Sequence, residues 1–136
     1  MILDVVAVAA GGAVGALLRF AAIRRAEART GAAARPWDRV ARATLGANVG
    51  GCLLLGVWVA AAGAGRIAGD WPPAAANALD LFVLTGVCGG WTTFSTIVAD
   101  GARLRAERGP ASALGYAAAT LAAGILALWL GLRLGT

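Results

Sequence analysis

The chain has 136 residues, 60% of them hydrophobic and only 14% charged, with a mean hydropathy of +0.75. Its 35 alanines and 20 glycines make up two-fifths of the sequence. So short a chain cannot hide that much apolar surface in a water-soluble core, which excludes a soluble enzyme. With 2 cysteines and no histidine it is neither a disulfide scaffold nor a structural metal site. All 12 basic residues behind the net charge of +5 are arginine. They lie between apolar segments without interleaved aromatics, so they read as topology determinants rather than as a nucleic-acid surface.

Four stretches are apolar over bilayer-crossing length, at about 5–23, 43–62, 81–99 and 111–132. They predict an all-α membrane protein, since a lipid-embedded backbone must satisfy its own hydrogen bonds. The first stretch lacks a basic leader and is too long for a signal-peptide core, so it reads as a span. It contains one charge, Arg19. The loop at 24–42 holds six arginines and Pro36, which is expected to break a helix there. The second span carries Thr44 and Asn48 near its start. The loop at 63–78 contains Arg66, Asp70 and the pair Pro72–Pro73, and the loop at 100–110 holds Arg103, Arg105 and Arg108. Nine arginines on the first and third loops against two elsewhere outside the spans put those loops in the cytoplasm and both termini outside. The pairs Gly11/Gly15, Gly46/Gly50 and Gly86/Gly90 each put two glycines on one helix face. Such faces allow close approach, either within one four-helix bundle or across a dimer interface.

The third span is anomalous. Gly89-Gly90 is followed by Thr92, Thr93, Ser95 and Thr96 around Phe94, a poor continuous helix. It predicts a broken third helix, with carbonyls freed at Gly89 and its neighbours to hold an ion. The other reading is hydroxyls bonding back to their own helix. Arg19 either snorkels to the headgroups or lines a pathway entrance. Asn48 either joins two helices or lines the path. Tyr116 and Thr120, spaced i and i+4, share a face of the last span with Gly124, and Tyr116 either anchors at the interface or lines the path. Asp80 and Asp100 read as helix caps or surface charges. Hydroxyls, an amide, a guanidinium and the edge of Phe94 are donors that favour a small hard anion. No acid–base or nucleophile pair is present, so no enzymatic chemistry is expected.

The string from Gly86 to Thr96, Gly-Val-Cys-Gly-Gly-Trp-Thr-Thr-Phe-Ser-Thr, resembles the signature of the Fluc (CrcB) fluoride channels. The run from Gly11 to Arg19 and the stretch Thr44-Leu45-x-x-Asn48 leading to Gly51 and Gly56 match in order and spacing. The resemblance implies passive export of fluoride through the plasma membrane, relieving its toxicity, by an antiparallel, dual-topology dimer of four-helix subunits with two pores. It implies a central structural Na⁺ held by the carbonyls of Gly89 and Thr92 in each subunit. It implies a pore lined by Asn48, Phe94, Ser95, Thr96, Tyr116 and Thr120, with Arg19 at the vestibule. Two positions depart from the family pattern: Ile97 stands where a second pore phenylalanine is usual, and Gly124 where a serine is common. The arginine bias is also unlike a subunit that inserts both ways. It favours a homologous partner of opposite fixed orientation over a homodimer. A small multidrug transporter would need an acid within the first span, which has Arg19 instead. A non-conducting assembly subunit of a membrane complex would explain the glycine faces but not the donor-rich third span.

Overall fold

In a computed structural model, residues 1–29 and 36–136 are described; of the first loop expected at 24–42, positions 24–29 and 36–42 are helical instead, and only 30–35, Arg35 among them, lie outside the described residues. The helices are α1 (Ile2–Arg29), α2 (Pro36–Gly63), α3 (Pro73–Asp80), a π-helical segment π1 (Leu81–Cys88), α4 (Gly89–Trp91), α5 (Phe94–Arg108) and α6 (Pro110–Leu134). Among the described residues, four helical stretches are long and apolar enough to cross a membrane, one of them the composite Pro73–Arg108. The chain is a multi-pass helical membrane protein.

The helices outrun the predicted spans because helical hydrogen bonding continues where apolar sequence stops. Pro36 does not interrupt a helix; it is the first residue of α2, where the missing N–H costs nothing. Pro73 likewise opens α3 behind Pro72, so part of the expected second loop is helical. The remainder is a tight turn using positive φ at Gly65 and Ala68, tied to the far end of α6 by Arg66 Nη1 donating to the Gly135 carbonyl at 3.1 Å. The expected third loop shrinks to Gly109, whose φ of +87° only glycine adopts cheaply. Arg103, Arg105 and Arg108 therefore ride on the last turns of α5.

Backbone-to-backbone glycine contacts set the packing. A Cβ on Gly86 would lie 2.7 Å from the Gly11 Cα, and one on Gly15 would lie 2.7 Å from the Trp91 nitrogen. The Gly11/Gly15 and Gly86/Gly90 faces thus join α1 to π1 and α4 inside one subunit. Gly50 receives the indole of Trp91, while Gly46 faces open space. A second seam, between α2 and α6, brings Gly56 against Gly131, with 3.0 Å from a Gly131 Cβ to the Gly56 Cα. Close backbone approach of this kind replaces the hydrophobic driving force that lipid removes.

The break in the third span is real but displaced. Gly89 is helical, at φ −64° and ψ −37°. Only Thr92 (−78°, 157°) and Thr93 (−154°, 123°) are extended. β-Branched residues favour that conformation, whereas the glycines are used for packing, with Gly90 against Gly12 and Ala16. Helix resumes at once, so the span bends only slightly instead of turning back.

Candidate functional site

An extended pair inside a membrane helix leaves backbone groups to satisfy, and Asn48 does this. Its side-chain Oδ1 accepts from the Thr93 amide at 2.7 Å, and its Nδ2 donates to the Thr93 carbonyl at 3.3 Å. The side chain thus pairs with one residue's backbone as a neighbouring strand would. On the preceding residue, Arg19 Nη1 donates to the Thr92 carbonyl at 3.2 Å. Arg19 is therefore turned to the break, rather than merely snorkelling. Thr92 bonds back through Oγ1 to the Cys88 carbonyl at 2.9 Å, the self-satisfied arrangement of a helix hydroxyl.

Thr93 is the N-cap of α5. Its Oγ1 accepts from the Thr96 amide at 3.3 Å and lies 3.1 Å from both Ser95 Oγ and Thr96 Oγ1. Three hydroxyls therefore gather at the start of α5, beside a Phe94 that is 79% exposed. Thr93→Ala should cost about 1 kcal/mol of stability, as loss of a cap does, while Thr93→Ser retains it; thermal unfolding of the detergent-solubilised protein reads the difference.

Between α2, π1, α5 and α6 runs an open groove of about 630 Å³, mostly apolar. Asn48, Gly89, Thr92, Phe94 and Thr120 line it, as do the two departures, Ile97 and Gly124. Ser95 and Thr96 are tied to it only through Thr93. Thr120 Oγ1 is committed to the Tyr116 carbonyl at 2.8 Å. Tyr116 lies one turn beyond the groove, its hydroxyl 3.4 Å from both the Ala41 carbonyl and Asp100 Oδ2.

Two acidic residues are not the surface charges expected. Asp100 is 3% exposed and accepts from Thr44 Oγ1 at 3.1 Å. Asp80 sits at the α3–π1 junction inside a continuous span and accepts from Trp58 Nε1 at 2.8 Å. Neither ends the third span, because its helical stretch, Pro73–Arg108, runs on past the apolar segment at both ends. The π1 segment was likewise unforeseen; such widened turns are frequent at functional sites.

The carbonyls assigned to a cation can be tested on their surroundings. In an unbroken helix the Gly89 carbonyl would accept from the Thr93 amide, but that amide is taken by Asn48. Gly89 is exposed, and a Cβ on it would meet nothing within 4 Å. An open carbonyl at a helix break suits a cation. The Thr92 carbonyl is already engaged by the Arg19 guanidinium, so a cation there would share or displace that bond.

These features define a class: a four-span membrane protein whose interrupted third span faces an open groove with amide, hydroxyl and ring-edge groups. Residues 6–132 match the model of the family described as CrcB-like protein, Camphor Resistance (CrcB), and the chain belongs to that family. It is 39% identical over 135 residues, 98% of each chain, to a Pseudomonas fluorescens protein named Fluoride-specific ion channel FluC. It is 41% identical over 124 residues to Fluoride-specific ion channel FluC 1 of Thermobifida fusca, covering 91% of this chain and 88% of the relative. It is 34% identical over 134 residues, 97% and 98% of the two chains, to Fluoride-specific ion channel FluC 2 of Rhodococcus jostii.

Proposed function

We propose that this chain conducts fluoride passively across the plasma membrane as one subunit of an antiparallel two-subunit channel, lowering cytoplasmic fluoride. The observation that carries the reading is the Asn48-held break beside an exposed Phe94 and the hydroxyls of Thr93, Ser95 and Thr96. Relatives of nearly the same length are named as fluoride channels. Fluoride is a small, strongly hydrated acceptor. To leave water it needs replacement donors, and hydroxyls together with the positive edge of an aromatic ring supply them in an otherwise apolar groove. The pore lining we assign is Asn48, Phe94, Ser95, Thr96, Tyr116 and Thr120, with Arg19 holding the break near the vestibule.

An open groove with an exposed phenylalanine at its side is half of an enclosure, which supports a second subunit. The Gly89 and Thr92 carbonyls would hold a central Na⁺ only jointly with that subunit, because one chain offers too few oxygens. When bound, the ion would add positive charge beside the anion path. Among the described residues, the loop arginines other than Arg66 lie at the end of the bundle shared by the α1 and α5 C-termini and the α2 and α6 N-termini, which supports that end facing the cytoplasm with both termini outside. A partner of opposite orientation is then a homologue with the reverse bias, and the numbered names FluC 1 and FluC 2 among relatives are in keeping with paired subunits.

A fluoride electrode recording efflux from liposomes tests this. Wild-type protein should release fluoride, fully only with its homologue present. Phe94→Ile should release it about tenfold more slowly, losing ring-edge stabilisation of about 1.4 kcal/mol. Equal rates for Phe94→Ile and wild type would remove the ring from the path.

A further inference from the structure

The two cysteines take no part in the break or its capping. Both are unbridged, and both line the groove, Cys52 from α2 and Cys88 from π1. Cys52 lies one turn beyond Asn48, Cys88 one turn before Thr92, and Gly124 one turn beyond Thr120, so three helices bring them to one level. Contacts fix that level. A Cβ on Gly124 would lie 3.4 Å from the Cys52 sulfur, and one on Gly51 would lie 3.8 Å from the Cys88 carbonyl oxygen. A side chain at position 124 would fill the space in front of the Cys52 sulfur; glycine keeps it open. Cys88 is 4% exposed, and the groove is the side from which its thiol is reached.

Two thiols at one level of an apolar groove make a selective ligand set. Among the described residues, no three of His, Cys, Asp and Glu gather as a metal site. Zinc takes four ligands, and calcium or magnesium six or more oxygens, so the pair suits none of them. A soft d10 ion that is content with two thiolates in line, such as Hg²⁺, does suit it, because soft sulfur ligands select soft metals. Such an ion can also arrive without charge. Mercuric chloride is a neutral, linear molecule, so neither the bilayer nor a path lined by donors repels it.

We propose that Cys52 and Cys88 form a two-coordinate site for soft metal ions in the groove, and that filling it shuts the path. One mercuric chloride meets two thiols: two Hg–S bonds form, two Hg–Cl and two S–H bonds break, and two chloride ions and two protons leave. The metal then ties α2 to π1 one turn from the Asn48-held break, in the gap that Gly124 leaves. The block of fluoride rests on the channel reading; the binding does not.

Intact-mass spectrometry of the purified chain with one equivalent of mercuric chloride reads the binding. Wild type should gain one mercury, lose two protons and retain no chloride. Cys52→Ser and Cys88→Ser should each gain a mercury that keeps a chloride, held by one thiol. Chloride retained on the wild-type adduct, or two mercuries bound separately, overturns the proposal. Efflux from liposomes reads the block, each protein being compared with its own untreated rate. Wild-type efflux should stop at one mercury per chain and return with excess dithiothreitol. Either serine variant should need about a hundredfold more mercury, since the second thiol no longer holds the ion. Equal sensitivity of wild type and Cys52→Ser overturns the site even if Cys88→Ser does not fold, and bridged mercury with efflux intact overturns the block. Absence of efflux from untreated wild type would instead bring down the channel reading, with the mass measurement still deciding the site.

Discussion

Replacing Asn48 with alanine should both destabilise the protein and stop conduction. The substitution strips partners from the amide and carbonyl of Thr93, two buried backbone groups with no helical alternative while the chain there stays extended. Each unsatisfied buried group costs about 1–3 kcal/mol, so about 2–6 kcal/mol is at stake. A barrier higher by about 2.7 kcal/mol already slows passage about a hundredfold. Asn48→Asp separates the structural from the electrostatic part. An aspartate oxygen still accepts from the Thr93 amide, but nothing donates to the Thr93 carbonyl, and a negative charge now faces the groove. Folding should suffer less than in Asn48→Ala, while fluoride efflux should be lost as completely. Thermal unfolding and efflux measured on the same preparations check both statements. Wild-type efflux from folded Asn48→Asp would take the amide out of the path.

The second large effect is steric. Gly86→Ala places a methyl 2.7 Å from the Gly11 Cα and 3.0 Å from the Gly12 nitrogen, where only backbone is present to give way. Gly15→Ala meets the Trp91 nitrogen at 2.7 Å and the Gly90 carbonyl carbon at 2.9 Å. Overpacking costs about 1–3 kcal/mol per site, and here it also pries α1 from the helix that carries the break. Both variants should lose most of their folded yield on size-exclusion chromatography. The controls are Gly12→Ala and Gly115→Ala, whose added Cβ atoms meet nothing within 4 Å. Within a helix those changes should be neutral or stabilising by up to about 1 kcal/mol. Equal yields for Gly86→Ala and Gly12→Ala would show that the glycine seam is not what holds α1.

The same glycines show where sequence reading stops. Apolar length alone marks the four spans, and polarity within an apolar run singles out Arg19, Asn48 and Thr92–Thr96 before any coordinates. A glycine that breaks a helix and a glycine that lets another helix approach look alike in one dimension. Gly89-Gly90 reads as the break, yet it is helical, and Gly90 serves the contact with α1. The interruption falls on Thr92 and Thr93 because Asn48, 45 residues from Thr93, supplies the missing hydrogen bonds. Asp100 is misread for the same reason. Its partners Thr44 and Tyr116 lie 56 and 16 residues away, and its burial depends on α5 continuing past the apolar stretch. The π1 segment has no local signature, since its wider winding is compatible with the same residues as an α-helix.

The central claim is that this break, completed by a second subunit, is a path for fluoride. Fluoride and chloride efflux from liposomes bearing the purified chain, alone and with its homologue of opposite arginine bias, tests it most directly. Fluoride should leave, chloride should stay, and the paired preparation should conduct fully. Liposomes that retain fluoride in both preparations, with the protein folded, would contradict it.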